Sequence, residues 1–121
     1  MDFNNDRPIY LQIVEMITMD MMAGVYQAND KLPSVRELSA RYRVNPNTLQ
    51  RAFADLESSG LVYTERTNGR FVTNDKEKIK VLRNQAAITA VKEFLQYMNQ
   101  LDIQDEEIVQ LMLDVRKGEI K

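Results

Sequence analysis

Apolar residues in this chain recur at helical spacing over most of its length, interrupted once by two short strand-like runs. From Pro8 to about Ala23, Tyr10, Ile13, Val14, Ile17 and Met21 form one stripe, with Pro8 suited to a first turn and Gly24 to a stop. Met16, Met19, Met21 and Met22 in the same stretch read as core filling rather than a soft-metal face. A polar loop or brief extended piece, residues 25–31, then delivers the chain to Pro33. A short helix is expected from about Ser34 to Tyr42, burying Val35 and Leu38 with Tyr42. After a turn through Arg43 and Val44, a second runs from Pro46 to about Ser58 and buries Leu49, Ala52, Phe53 and Leu56. Each carries its own start signal. Ser34 and Glu37 are spaced as a capping box, and Asn45 can cap the second helix with Pro46 at its first position.

Beyond Gly60, a natural helix stop, Leu61-Val62-Tyr63-Thr64 and Arg70-Phe71-Val72-Thr73 flank Asn68-Gly69, a strong hairpin signal, with Arg66 expected on the first strand. Two helices joined by a tight turn and followed by a hairpin outline a winged helix-turn-helix. The composition shifts after Asn74-Asp75. Lys76 to about Leu101 reads as one long helix with Ile79, Leu82, Ala86, Ala90, Phe94, Met98 and Leu101 on a stripe. Asp102 then offers a cap to a shorter helix carrying Ile108, Leu111, Met112 and Val115. Two such helices have little of their own domain to cover, so their stripes are expected to bury against a second copy of the chain. The fold class is therefore mainly α with a small β-hairpin: a winged helix-turn-helix domain over residues 1–75 and a two-helix dimerisation tail over 76–121.

Composition narrows the function. The 121 residues are 44% hydrophobic and 28% charged, as in ordinary soluble domains, and no apolar run approaches the ~20 residues that span a bilayer. Met1-Asp2-Phe3-Asn4-Asn5-Asp6 lacks the basic-then-apolar order of a secretory signal, and a cytoplasmic location is expected, with no membrane partner. With no Cys and no His, thiolate zinc sites, cysteine nucleophiles and the commonest general base are absent, so no metal, cofactor or enzymatic activity is expected. The acidic run Asp105, Glu106 and Glu107 is the favourable first turn of a helix.

The net charge of −2 conceals a local excess. Residues 31–70 carry seven basic side chains against four acidic ones, and six of the seven are Arg, which suits contacts to phosphate or guanine. The helix beginning at Pro46 is expected to enter a major groove amino end first. Asn45 and Asn47 can pair with adenine or phosphate, and Thr48 with phosphate or a thymine methyl. Gln50 and Arg51 fall on the polar side that a groove meets, and Arg36 projects toward the same edge. In the hairpin, Gly69 and Arg70 offer bare backbone and a guanidinium to the minor groove.

These residues also carry a resemblance. Leu32-Pro33-Ser34-Val35-Arg36-Glu37-Leu38, Val44-Asn45-Pro46-Asn47-Thr48-Leu49, Arg51-Ala52-Phe53, Leu56-Glu57, Gly60-Leu61-Val62 and Gly69-Arg70-Phe71-Val72, with Arg7-Pro8-Ile9-Tyr10-Leu11-Gln12-Ile13 before them, resemble the GntR family of bacterial transcription regulators over about residues 8–74. The resemblance implies a homodimer on operator DNA, with contacts at Arg36, Asn45, Asn47, Thr48, Gln50, Arg51 and Gly69. About 46 residues follow the hairpin, too few for the large effector domains of most members, and this short tail is similar to the YtrA subfamily. Its members often repress neighbouring transporter genes, so the resemblance implies a repressor of a transporter operon. Two departures stand out: Pro46 replaces a basic residue used elsewhere in the family, and Thr67-Asn68-Gly69-Arg70 holds one glycine where many members have Gly-x-Gly. A protein-interaction module using the winged helix only as a scaffold stays open at this point. So does an effector: a pocket lined by Phe94, Tyr97, Met98 and Met112 reads equally as interface packing.

Overall fold

The computed structural model describes residues 3–119, so the ends of the expected segments 1–75 and 76–121, and Met1 and Asp2 of the amino-terminal stretch, lie outside the described residues. Among the described residues, five helices and one hairpin follow in the order α1 (Ile9–Met22), α2 (Val35–Tyr42), α3 (Pro46–Ser58), β1 (Val62–Glu65), β2 (Gly69–Val72), α4 (Lys76–Gln100) and α5 (Asp105–Arg116). The chain divides into two compact units, the first ending at Arg83 and the second beginning at Asn84. The expected architecture, mainly α with a small hairpin, is the observed one.

In the first unit, α1 contributes Ile13, Ile17 and Met21 to the core, α2 contributes Leu38 and Tyr42, and α3 contributes Leu49, Ala52, Phe53 and Leu56. Leu32, Leu61, Val62 and Val72 close the core from the loops and the hairpin. Ile79 and Leu82, placed by periodicity in the dimerisation stripe, are half-buried against this same core, so the first turns of α4 are spoken for within their own unit. α3 is the centre of the unit. Its four inward side chains are fully enclosed, with no exposed area, which fixes the rotation of the helix about its axis and turns Asn47, Gln50, Arg51 and Ala54 outward.

Local signals set the helix ends. The Ser34 hydroxyl accepts from the Glu37 amide at 3.0 Å while the Glu37 carboxylate accepts from the Ser34 amide at 3.4 Å, the expected capping box. Asn45 Oδ1 accepts from the Asn47 amide at 2.8 Å. At the other end of α3 the Leu61 amide reaches back to the Leu56 carbonyl at 3.0 Å across Gly60, whose φ of +80° is the left-handed value such an ending requires. Arg43 takes the same role after α2 with φ +57°, which makes the turn into α3 tight without a glycine.

Asp102 departs from its expected role as a cap for α5. Its φ is +57°, and the Ile103 and Asp102 amides bind the Met98 and Asn99 carbonyls at 3.1 Å each, so it ends α4. Gln104 occupies the cap position of α5, with no side-chain cap bond.

The hairpin register also differs from a two-residue Asn68-Gly69 turn. Glu65 pairs with Gly69, Thr64 with Arg70, Tyr63 with Phe71 and Val62 with Val72, which leaves Arg66, Thr67 and Asn68 as the loop. Arg66 thus sits in the turn and not on the strand. The Asn68 amide closes the turn on the Glu65 carbonyl at 3.2 Å. The extended piece before α2 joins from the other side: the Leu32 amide binds the Arg70 carbonyl and the Val72 amide binds the Asp30 carbonyl, both at 2.9 Å. In the second unit Ile108 is buried, Met98 and Leu111 are half-buried, and Phe94, Leu101, Met112 and Val115 are exposed.

Two substitutions test this account of the fold. Gly60→Ala forces a side chain into the left-handed region and is expected to lower stability by about 1–2 kcal/mol in thermal or denaturant unfolding. Ser39 buries a hydroxyl that finds no partner within the described residues. Ser39→Ala removes that group, gains helix propensity and is expected to leave the unfolding free energy unchanged or raise it by up to about 1 kcal/mol, read in thermal or denaturant unfolding.

Candidate nucleic-acid interface

The outward side of α3 divides at its polar residues into two clefts. At one, Lys31, Arg36, Gln50, Asn68, Gly69 and Arg70 come together from the segment before α2, the start of α2, the middle of α3 and the hairpin tip. The capping box holds the first turn of α2 here, so Arg36, two residues beyond Ser34, emerges exposed at the rim. Gly69 has φ +107°, and a side chain there would stand 3.2 Å from Lys31 Cε. The positive φ is what calls for glycine at this position; the lysine end beside it is exposed and can shift.

At the other cleft, Asn47, Thr48 and Arg51 face Pro8, Ile9 and Tyr10 at the start of α1. The Arg51 guanidinium lies over the Tyr10 ring, 3.9 Å from its centroid. Such stacking restrains a long side chain on an exposed surface at a gain of about 0.5–1 kcal/mol. Asn45 is exposed at the amino end of α3 with its carboxamide oxygen engaged in the cap, which leaves its –NH2 group outward.

Arg70 is held differently from the free guanidinium the sequence suggested. Register places it opposite Thr64 on the face of the hairpin that carries Val62 and Val72, so it turns toward α3. Its Nε donates to Glu57 Oε1 and its Nη2 to Gln50 Oε1, each at 3.0 Å, and it lies over the Phe53 ring at 4.8 Å. The Thr64 hydroxyl donates to the same Glu57 oxygen at 2.6 Å. One carboxylate on α3 therefore grips both strands of the hairpin. The Thr64 bond, foremost, holds the Glu57 carboxyl below its ordinary range against the cost of burial, and the bond and charge of Arg70 add to it. Neither Glu57 nor Thr64 stood out in the sequence, because the contacts join residues seven and thirteen apart that only the hairpin register brings to one face.

On the opposite face of the hairpin Tyr63 and Phe71 stack with centroids 5.5 Å apart. At the amino end, Gln12 binds the Asn4 amide and carbonyl and the Arg7 carbonyl, and Arg7 pairs with Glu15, which straps the preceding segment to α1. The expected dimerisation residues lie on both units: Ile79 and Leu82 in the first, and Ala86, Ala90, Phe94, Met98, Leu101, Ile108, Leu111, Met112 and Val115 in the second. Among the described residues no helix is long and apolar enough to cross a membrane, and no carboxylate cluster is arranged to hold a metal ion.

Comparison with known proteins gives this geometry a context. The family profile described as bacterial regulatory proteins, gntR family, matches residues 9–72. The chain is similar to an uncharacterised HTH-type transcriptional regulator of Bacillus subtilis, YhcF, at 34% identity over 89% of each sequence. It is also 34% identical to the HTH-type transcriptional repressor YtrA of the same organism, over 80% of this chain and 72% of that one. Among solved structures, a GntR family transcriptional regulator from Listeria monocytogenes superposes with a TM-score of 0.83 at 39% identity, over 98% of this chain and 100% of the other.

Glu57 supplies a pH test. Its carboxyl titrates lower in the folded chain than in the unfolded one, so its contribution to stability is present above the ordinary carboxylate range and is lost as pH falls through the lowered folded value. Glu57→Gln is expected to cost roughly 0.5–1.5 kcal/mol near neutral pH. That gap between the variant and the parent should close in acid when both are melted across pH.

Proposed function

The chain belongs to the GntR family of bacterial regulatory proteins, and from that membership we propose that it is a homodimeric, DNA-binding transcription repressor acting on a palindromic operator. The observation that carries the reading is the shared exposure of Arg36, Gln50 and Gly69 on one cleft beside the outward face of α3. A helix about 10–12 Å across fills the major groove of B-DNA, and a hairpin fixed beside it falls on the neighbouring backbone or minor groove. The carboxamide of Asn47 and the guanidinium of Arg51 face the same duplex from the far side of α3, where Tyr10 keeps Arg51 in place.

What the second unit leaves uncovered supports dimerisation. Val91, Phe94, Leu95, Tyr97, Leu101, Val109, Met112, Leu113 and Val115 are all more than a third exposed, a concentration of apolar surface that marks an association face. A second copy of the same chain is the partner that gives a two-fold assembly, and two-fold assemblies read inverted repeats with half-sites about one helical turn apart. Repression is carried over from the printed description of YtrA, which this chain resembles over most of its length. A transporter operon as the regulated target rests on the family resemblance alone.

Three outcomes are expected. A duplex selected from a genomic pool should be retarded in gels by the full chain, with affinity falling steeply as salt rises because bound phosphates release counterions. No shift at low salt would favour the scaffold reading instead. Arg36→Ala should weaken that binding by about 1–3 kcal/mol while melting like the parent. In sedimentation the chain should run at about twice its 14.1 kDa mass, and the double variant Phe94→Glu, Met112→Glu should run as a monomer with much weaker operator binding.

A further inference from the structure

The wing's Arg70 reaches two polar groups of α3, and its chemistry decides how one of them faces outward. A guanidinium only donates, so the Gln50 atom 3.0 Å from Arg70 Nη2 must be the carbonyl oxygen. The amide is therefore oriented by its partner, with oxygen toward Arg70 and the –NH2 group left over. Arg70 is itself well anchored: its side chain is 27% exposed, its Nε is committed to Glu57, and its guanidinium rests over Phe53. Thr64, directly across the hairpin, binds the same carboxylate oxygen and keeps the assembly in register. Gln50, by contrast, is exposed on the face of α3 that lines the basic cleft.

We infer that Arg70 is a positioning residue that sets the base preference of Gln50. A free glutamine pairs with adenine through one acceptor and one donor side by side. Here the oxygen is turned to Arg70, one of its two lone pairs taken at 3.0 Å, and the –NH2 group is what Gln50 presents outward. A donor turned outward is matched to guanine, whose N7 and O6 both accept, over adenine, whose N6 amino group calls for an acceptor. Arg70 thus serves recognition from the protein side of α3 without entering the minor groove. This rests on the reading of the chain as a DNA-binding regulator.

The test is a double-mutant cycle on sequence preference with the full chain. A preferred duplex is selected from a random pool, and binding to every single base-pair substitution of it is measured for the parent, Arg70→Met, Gln50→Ala and the double variant. Methionine keeps an apolar stem over Phe53 and removes the donors; Arg70→Thr replaces it if the methionine variant melts too low. The expected result is that both single variants lose discrimination at the same base pair, roughly tenfold each. Arg70→Met should shift that position toward adenine, and the double variant should lose no more there than Gln50→Ala alone. An unchanged profile for Arg70→Met, or changes that simply add, overturns the inference. So does a uniform loss on all duplexes with a salt slope lower by about one, the mark of a phosphate contact. A parent that binds no duplex defeats the regulator reading itself and this inference with it, whereas a parent that binds while Arg70→Met keeps its profile defeats the inference alone.

Discussion

The burial of one side of α3 is the constraint from which the rest of the first unit follows. Leu49, Ala52, Phe53 and Leu56 are enclosed by α1, α2 and the hairpin, and truncating a buried Leu or Phe typically costs about 2–5 kcal/mol, a large share of what holds a domain this size together. Because those four positions cannot rotate outward, Asn47, Gln50 and Arg51 cannot rotate inward. The surface that meets a ligand is thus determined by the core beneath it. The capping box of α2 and the Asn45 cap of α3 fix where each helix begins, and the left-handed turn at Arg43 fixes the angle between them.

The hairpin is coupled to that same helix by polar contacts as well as by packing. Val62 and Val72 join the core, while Thr64 and Arg70, next along the same face, converge on Glu57. Partly exposed contacts of this kind add only about 1 kcal/mol to stability. Their consequence is geometric: they fix the hairpin tip relative to α3, and the Leu32 amide ties the entry to α2 onto β2. The backbone positions of Arg36, Gln50 and Gly69 are thereby set by the fold, and the Gln50 side chain is held by Arg70. Of the cations between residues 31 and 70, Lys31, Arg36 and Arg70 line the first cleft and Arg51 the second, whereas Arg41 lies beside Arg7 and Tyr42, away from both.

Much of this is legible in the sequence where the interactions are local. The Ser34-Glu37 box, the Asn45-Pro46 start, the Leu49-Ala52-Phe53-Leu56 stripe and the Gly60 stop all act within a few residues, and the structure has each of them. The misses are non-local or depend on backbone register. Asn68-Gly69 is the strongest two-residue turn signal in the hairpin, yet the pairing of Glu65 with Gly69 lengthens the loop by taking in Arg66 and Thr67. That shift sets Thr64 across from Arg70, both on the face of Val62 and Val72, and the convergence of the two on Glu57 is therefore not legible in the sequence. Ile79 and Leu82 fit a periodic stripe with the residues after them, but periodicity cannot say what covers a stripe, and these two lie against the first unit's own core. Asp102 has the composition of a cap and the backbone of a helix end.

Central to the proposed function is the placement of the amino end of α3 in a major groove, once in each half of a two-fold site. Methylation interference on a selected duplex measures this most directly, because N7 of guanine lies in the wide groove and N3 of adenine in the narrow one. The account predicts that N7 methylation abolishes binding within two clusters about one helical turn apart. Interference confined to adenine N3, or spread evenly with no paired clusters, would contradict it.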